Sequence, residues 1–437
     1  MNIRKAVKKV IPAGLFPAIE PYGHLAEAVL LNTVNGFPAH GLKVIGVTGT
    51  NGKTSTSYLI HRMMVDAGYK TGLMTTVAYG VGNDIKPQIH HMTTVGVPEL
   101  MKRLKEMKRD GAEWLVLETT SHALAQNRVW GVPYSVAVFT NLTHEHLDYH
   151  KTFERYRDAK VKLFTLAGKN RRGLRTGVVN AEDPSATYFA AAVPFPIMYG
   201  QGVGQLQATD IVQTPEGSTF TATFGERQLS IKVNLPGSFN ISNALAAIGA
   251  GIAVGLTDEQ IEKGIAALEG VEGRMTTIDE GQDFSVIVDF AHTPDAFEKL
   301  FKDLRPVVKG KLIVMFGSAG RRDEKKRAVQ GRLAGEYADE VVITEEDDRD
   351  IDGYEIMKEI AAGAKKAGKV EERNLFLIHD RTEAIQFAVR RAGKGDTVLL
   401  LGKGHEKTIE RADGEHKWDE IGTAREAVKA LAKKQKA

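Results

Sequence analysis

The stretch Val44–Tyr58, VIGVTGTNGKTSTSY, carries the residue types needed to hold a polyphosphate. An apolar run (Val44, Ile45, Val47) reads as a buried strand, Gly49 and Gly52 as a tight loop, and Thr54 as the opening of a helix. That order builds an anion cradle: glycines let backbone N–H groups approach, a helix N-terminus adds positive potential, and Lys53 supplies a full charge. Thr54 is placed to offer its hydroxyl to a phosphate-bound Mg2+. The strict pattern G-x-x-x-x-G-K-[ST] is not met, because Val47 occupies its first glycine position. TGTNGKT between a strand and a helix is nonetheless far more specific than a bare GKT. The expected chemistry is that of a nucleoside-triphosphate site built from Gly49, Thr50, Asn51, Gly52, Lys53, Thr54 and Ser55.

A second cluster, Asn141–His150 (NLTHEHLDYH), follows the apolar run that ends at Phe139. Active sites of open α/β sheets gather at the carboxyl ends of strands, where both loops would fall, and Glu118 ends a further strand in LVLETTSH. Glu118 and His146 are thus candidate Mg2+ ligands near the triphosphate, although hard Mg2+ prefers oxygen. His144, His146 and His150 form an alternative zinc set, at a spacing that fits no standard pattern.

The elements that must position these residues alternate in type. From Lys43 to about Gly270, strand-like runs (Trp114–Glu118, Ser135–Phe139, Thr176–Asn180) alternate with helical ones (Pro98–Arg109, Phe153–Leu166). Gln205–Val233 breaks the alternation and reads as an antiparallel insertion, before a helix around Ile241–Val254. A second alternating block runs from about Glu272 to the end, with strands at Ser285–Asp289, Lys311–Phe316, Glu340–Thr344, Leu375–Ile378 and Thr397–Leu401. It has no G-x-G-x-x-G, so a dinucleotide site is not supported. The expected fold is α/β: a P-loop central domain with a mostly parallel sheet (43–271), then a Rossmann-like α/β domain (272–437). Residues 1–42 read as a short arm. In it Ile3, Val7, Val10 and Ile11 share a helical face flanked by Arg4, Lys5, Lys8 and Lys9. That face either packs on the next domain or docks on a membrane surface or partner, through residues 1–20.

The chain of 437 residues is too long for one core, and its net charge of +3 argues for neither a nucleic-acid nor a membrane surface across the whole chain. It has no cysteine, which excludes disulfides and thiolate zinc sites and suits a cytoplasmic setting. No apolar run approaches the ~18 residues of a membrane span, and the N-terminus reads as retained rather than as a signal peptide.

Taken in order, TGTNGKTSTS, GAEWLVLETTSHALAQNRV, VFTNLTHEHLDYH, YRDAK, FNISNALAAI, GRM, VIVDFAHTPDAFEKL, FGSAGRRDEKKR and LGKGHE resemble the Mur ligases over about residues 43–430. Among these they are most similar to the UDP-N-acetylmuramoyl-dipeptide ligase (MurE) type. The resemblance implies ATP-dependent amide formation with Mg2+. An acceptor carboxylate is phosphorylated to an acyl phosphate, which the amine of an incoming amino acid attacks, releasing ADP and phosphate. It implies that Lys53, Glu118, His146 and Lys160 are catalytic. Thr54, Glu118, His146 and Lys160 would organise the metal, with Lys160 at the family's carbamylated-lysine position. It further implies nucleotide contacts from Asn243, Arg274, Asp289 and His292. Thr93, Thr94, Thr120, Gln126 and Arg128 would hold a muramoyl-dipeptide acceptor, and Arg322, Asp347, Arg349, Gly402 and Glu406 a free amino acid.

This sequence departs from the family pattern in three places. Residues 1–42 are shorter than the UDP-binding domain with which family members of this type begin, so either the nucleotide-sugar end is held weakly or the acceptor is lipid-linked. Glu346–Arg349 reads EDDR where diaminopimelate-adding ligases show DNPR. The added charge of Asp347 and Asp348 favours a cationic amine end, as in lysine or a diamino acid, and leaves the choice between them open. His144-Glu145 precedes His146 where Arg or Glu and then Asp are usual. The alternatives are a folylpolyglutamate-synthase-like, cyanophycin-type or MurT-like ligase, the last disfavoured by the absent cysteines, or a non-catalytic nucleotide-binding relative.

Overall fold

Strands buried on both faces read as near-continuous apolar runs, and four in the first half of the chain have such a run at their centre. In the computed structural model, which describes residues 16–88, 92–143, 145–214 and 217–436, they are β1 (Lys43–Thr48), β5 (Trp114–Glu118), β6 (Tyr134–Phe139) and β7 (Thr176–Asn180). All four pair in parallel, in the order β7-β6-β1-β5. On one side β2 (Thr71–Met74), β3 (Ala78–Val81) and β4 (Asp84–Pro87) continue the sheet; β2 joins β5 in parallel, and β3 and β4 follow as an antiparallel meander. On the other side come β8 (Phe195–Gly200), β9 (Leu206–Thr214), β10 (Gly217–Phe224) and β11 (Arg227–Val233). The result is one sheet of eleven strands, ordered β11-β10-β9-β8-β7-β6-β1-β5-β2-β3-β4.

One sequence expectation is refined here, and one segment was not anticipated. The Gln205–Val233 segment, expected as an antiparallel insertion, enters the main sheet through a parallel pair: β9 pairs with β8 at Tyr199–Leu206 and Gly200–Gln207, so the segment prolongs the sheet. The meander at Thr71–Pro87 gave no apolar alternation to read, because β4 is mostly exposed.

The second alternating block forms a six-stranded sheet. Its strands are β12 (Thr276–Ile278), β13 (Ser285–Asp289), β14 (Leu312–Phe316), β15 (Glu340–Ile343), β16 (Leu375–Leu377) and β17 (Thr397–Leu401), in the order β12-β13-β17-β14-β15-β16. Only β12 is antiparallel to its neighbour. The two-residue period of a strand divides β14 between two cores: Leu312, Val314 and Phe316 face one cluster, with Phe297, Phe301 and Ile360. Ile313 and Met315 face the other, with Ile385, Val389 and Val428. A short hairpin, β18 (Thr408–Arg411) and β19 (Gly414–Lys417), follows.

The chain divides into two compact units. The first holds the described residues of Met1–Val212, with Thr219–Val233 and Asn240–Leu268. The second holds those of Gln213–Ser218, Asn234–Phe239 and Glu269–Ala437. In the first unit a helix Phe16–Val34 packs through Ala28 and Asn32, whose Nδ2 donates to the Trp130 carbonyl at 3.0 Å. The amphipathic face expected at Ile3–Ile11 lies outside the described residues. No helix among the described residues is long and apolar enough to cross a membrane.

Candidate active site

The loop after β1 has a shape that only glycine permits at two positions. Gly52 has φ +81°, and a Cβ there would stand 2.2 Å from Asn243 Oδ1. A Cβ on Gly49 would stand 1.9 Å from Thr140 Oγ1. The loop is braced by residues the motif did not single out. Asn141 Oδ1 accepts from Asn51 N (2.9 Å), Thr140 Oγ1 donates to Asn51 O (2.6 Å), and Thr50 and Tyr156 share a hydroxyl hydrogen bond of 3.1 Å. Lys53 opens the helix Lys53–Asp66, and its Nζ donates to Thr50 O at 2.7 Å. The braced loop, its glycine clearances and a cation at the helix N-terminus fit a polyphosphate.

Behind the loop, Glu118 is 1 % exposed at the end of β5. Its Oε2 accepts from Thr54 Oγ1 (3.1 Å), Thr76 N (3.0 Å) and Thr76 Oγ1 (3.1 Å). A buried carboxylate touching the P-loop threonine fits a Mg2+ site, by contact or through water. Thr76 Oγ1 in turn accepts from the Thr93 hydroxyl (2.9 Å), and Thr94 Oγ1 donates to the Glu118 carbonyl (3.0 Å). Thr94 and Thr120 share a hydroxyl contact of 3.2 Å, and Thr120 caps the short helix Ser121–Ala125, which Gln126 terminates. Arg128, buried, donates to the Thr94 and Val95 carbonyls. One hydrogen-bond chain, Thr54–Glu118–Thr76–Thr93, therefore joins the phosphate loop to the expected acceptor residues. Thr76 was missed because nothing in its neighbourhood marks one threonine from another.

Lys160 rides on the helix Phe153–Lys169, which begins at a Thr152 cap (Arg155 N to Thr152 Oγ1, 3.2 Å). Its buried positions Tyr156, Ala159, Lys160, Leu163, Phe164 and Ala167 follow the three-to-four spacing of a core stripe, so this lysine points inward. Nζ donates to Gly49 O at 2.6 Å and lies 4.6 Å from the Tyr156 ring centroid. Burial first, and then the Lys53 charge, push its pKa well below that of an ordinary lysine; Glu145 and Glu118 oppose the shift.

His146 adopts a left-handed φ of 57° ahead of the turn Leu147–His150, and its ring centroid lies 4.7 Å from that of His122. His150 Nε2 pairs with Ser121 Oγ at 3.0 Å. His144, the third member of the zinc alternative, lies outside the described residues. Among the described residues the one group with convergent ligand atoms is Glu345, Asp348 and His379, and there Arg411 already binds both Glu345 oxygens (2.7 and 2.8 Å). Asn243, in the same unit as the P-loop, receives Thr56 Oγ1 at 3.4 Å.

In the second unit, Asp289 ends β13 and accepts from the Met275 and Ala291 amides (2.8 and 2.7 Å). Burial raises its pKa, and the Arg274 guanidinium works against the rise. Arg274 lies 4.5 Å from the Phe290 ring centroid, which has His292 at 4.6 Å and His405 at 4.9 Å. Burial, and after it the charges of Arg274 and Lys407, keep His405 neutral far below its usual range.

The expected amino-acid residues divide. Asp347 and Glu406 meet on Lys403, which is fully buried (Nζ at 2.8 Å and 2.6 Å). Burial alone would lower the Lys403 pKa, but the two carboxylates hold it above its ordinary value. Arg349 (φ 57°) is held by Glu410 Oε2 at 2.8 Å and by the Gly320 carbonyl, and Arg322 is exposed. Asp348 is paired with His379 at 2.9 Å. Asp347 and Asp348 thus each already have a partner, Lys403 for the first and the His379 ring for the second. Glu346, 7 % exposed, is the carboxylate facing Gly402: a Cβ there would lie 2.8 Å from Glu346 Oε2. Sequence reading passed over Lys403 and Glu346, although both stand inside the motifs that named their neighbours.

A glycine-shaped phosphate loop, backed by a buried carboxylate at the carboxyl edge of a parallel sheet, defines a P-loop α/β protein of nucleotide-dependent chemistry. Comparison with known proteins narrows this class. The sequence matches the Mur ligase middle domain over residues 47–251 and the Mur ligase, glutamate ligase domain over residues 273–404. It is 40% identical over 431 residues to the UDP-N-acetylmuramyl-tripeptide synthetase of Roseiflexus sp. (strain RS-1), covering 95% of this chain and 84% of that protein. It is 40% identical over 415 residues to the UDP-N-acetylmuramoyl-L-alanyl-D-glutamate–2,6-diaminopimelate ligase of Geobacillus thermodenitrificans (strain NG80-2), covering 94% and 84%. A solved structure of a ligase of that last name superposes with a TM-score of 0.62 at 31% identity, covering 90% of this chain and 79% of the other. The chain belongs to the Mur ligase family and is, with it, an ATP-dependent ligase.

Proposed function

We propose that this ligase adds one amino acid to a muramoyl-dipeptide cell-wall precursor, in the cytoplasm, with ATP and Mg2+. What carries the reading is the hydrogen-bond chain Thr54–Glu118–Thr76–Thr93: phosphoryl transfer to a carboxylate needs the phosphate loop and the acceptor side by side. Relatives 40% identical over nearly the whole chain are named as ligases of this class.

In the proposed reaction an acceptor carboxylate oxygen attacks the γ-phosphorus of ATP, the bond to ADP breaks, and an acyl phosphate forms. The amine nitrogen of the incoming amino acid then attacks the acyl carbon; phosphate leaves, and the amine gives up a proton. Lys53 and the amides of Gly49–Ser55 hold the β- and γ-phosphates, so the work is positioning and charge neutralisation. Bound Mg2+ would neutralise the charge that develops on the phosphates. Thr54, Glu118 and His146 are its proposed holders, together with Lys160 as a carbamate. That modification needs an uncharged amine, and the burial that lowers the Lys160 pKa supports it. Carbamylation exchanges a cation for a carboxylate-like anion beside the metal.

Asn243 in the first unit, and Arg274, Asp289 and His292 in the second, are assigned to the nucleotide. Thr93, Thr94, Thr120, Gln126 and Arg128 are assigned to the acceptor. Arg322, Arg349, Asp347, Gly402 and Glu406 are assigned to the incoming amino acid, with lysine or diaminopimelate as the candidates. Because Lys403 already pairs Asp347 and Glu406, and His379 lies on Asp348, the pull on a distal ammonium falls to Glu346. We take 43–271 and 272–437 as the catalytic domains, and residues 1–20 as a peripheral contact.

Phosphate release would be measured with UDP-linked and lipid-linked muramoyl dipeptide against a panel of amino acids. Release requiring an acceptor and one amino acid, with a product heavier by that residue, is expected. No turnover with any muramoyl acceptor would overturn the substrate assignment.

A further inference from the structure

Among its described side chains, Pro21–Val34, the helix Phe16–Val34 buries one face and exposes an uncharged stripe on the other. Tyr22, Ala26, Val29, Leu30 and Val34 are exposed at steps of three and four residues, and Phe37 extends the stripe past the helix end. Tyr22 and Val34 are each 73 % exposed and Leu30 61 %, unusual values for residues of this type on one face. Phe37 leans on the Trp130 ring, itself 37 % exposed, at a centroid distance of 6.2 Å.

One flank of this stripe is a groove of about 520 Å³, where Leu31 and Asn35 meet the helix Val97–Arg109 and its Lys102, Lys105 and Arg109. Two more cations gather on the turn that follows the stripe: Lys108 Nζ donates to the His40 carbonyl (3.1 Å), and Arg172 Nη1 lies 3.4 Å from His40 Nε2. The nearby acids among the described side chains are Glu106 in the groove, Asp110 paired with Arg109 at 3.3 Å, Glu99 paired with Arg103 at 2.8 Å, and Glu27 within 3.7 Å of His24. Among the described side chains the rim stays net positive.

We propose that this stripe and its basic rim form a docking surface for an anionic lipid bilayer, with Tyr22, Leu30, Val34 and Phe37 entering the headgroup–acyl boundary. Charge complementarity selects this occupant. A second copy meeting the stripe across a two-fold axis would set the cationic rim against itself, because such an interface uses the same patch twice. An anionic leaflet attracts the rim, and the aromatic and aliphatic stripe suits the interfacial layer. The surface is separate from the residues assigned to turnover, so the proposal stands or falls independently of the acceptor's identity.

The test is co-sedimentation of the full chain with phosphatidylcholine vesicles and with phosphatidylcholine–phosphatidylglycerol vesicles, at low and raised salt. Binding is expected only with the anionic vesicles, weakening as salt rises. Lys102→Gln with Lys105→Gln should lower the partition coefficient about 30-fold, at about 5-fold per cation. Leu30→Glu with Val34→Glu should lower it by at least about 100-fold, since both side chains leave the apolar layer. Both double variants should keep the parent's melting temperature and its phosphate release with a soluble acceptor. Absence of vesicle binding by the parent, or Leu30→Glu/Val34→Glu binding like the parent, would overturn the proposal. So would a parent dimer in sedimentation velocity that this variant dissociates without any vesicle binding, which would assign the stripe to a second copy.

Discussion

At the scale of single residues, Lys160 is the clearest case of environment setting chemistry. An ammonium 2 % exposed, facing one carbonyl and an aromatic ring, has lost most of its hydration, and Lys53 repels it further. Its folded-state pKa lies below the unfolded value near ~10.4, so the unfolded chain binds the extra proton between the two values. Stability from this site is therefore diminished at neutral pH and recovers as pH rises toward ~10.4. Lys160→Met, which keeps the stem and removes the charge, should flatten that rise in a series of denaturant titrations. A carbamate at the same atom makes a second prediction. Lys160→Ala should lose about 100-fold or more in phosphate release, consistent with losing one anionic group that orders a metal. Added formate or acetate should restore part of it, and Lys160→Arg should respond to neither. Rescue of the arginine variant, or full activity of the alanine one, would remove the carbamate from the account. Gly52 tests the loop by shape alone. Gly52→Ala places a methyl 2.2 Å from Asn243 Oδ1 at a φ that costs a non-glycine residue roughly 1–2 kcal/mol. It should abolish nucleotide binding by calorimetry while leaving a folded chain.

At the scale of elements, the carboxyl-terminal helix Glu420–Lys436 packs on the second unit through Ala424, Ala427 and Val428 and adds a buried ion pair at its first residue. Arg381 and Glu420 are both fully buried, and the guanidinium reaches the two carboxylate oxygens at 2.9 and 2.7 Å. The same guanidinium donates to the carbonyls of Glu345 and Leu401, the residues just before Glu346 and Gly402. Removing the acid strands a buried cation, at about 3–5 kcal/mol. Glu420→Ala should thus lower the melting transition of this unit, and raise KM for the amino acid more than KM for ATP. Equal changes in the two would mean that the clamp is structural only. The strands around it were legible because double-sided burial forces runs such as LIVMF and TVLLL. Lys160 was legible in part: counting three-to-four spacing from Tyr156 puts it on the buried stripe. The meander Thr71–Pro87, β18–β19 and the pairing of β9 with β8 were not legible. Exposed edge strands lose the alternation that marks a half-buried one, and register is set by partners distant in sequence. Among site residues, motifs pointed to Lys53, Thr54 and Glu118 directly. Thr76 and Lys403 become visible only when side chains from separate segments are placed together.

At the scale of the molecule, the chain leaves and re-enters its two compact units at Gln213–Ser218 and Asn234–Phe239 before settling in the second from Glu269. Each unit has its own sheet, so each has the apolar core that cooperative unfolding needs. Two calorimetric transitions are the expected result, and the variants assign them. Glu420→Ala perturbs only contacts within the second unit, so the transition that it lowers belongs there. The other belongs to the unit carrying the phosphate loop. A non-hydrolysable ATP analogue with Mg2+ at about a hundred times its Kd stabilises the state that binds it by ~2.7 kcal/mol. For a unit of this size that is a rise of roughly 5 °C or more. The rise should be largest in the phosphate-loop transition and disappear in Lys53→Ala, whose own unliganded transition should not fall by more than the hydrogen bond to Thr50 O contributes, since the variant also relieves the repulsion of Lys160. A single transition that moves as one with both variants would show the two units unfolding together. The ligand shift would then report on the whole chain rather than on the loop that holds the phosphates.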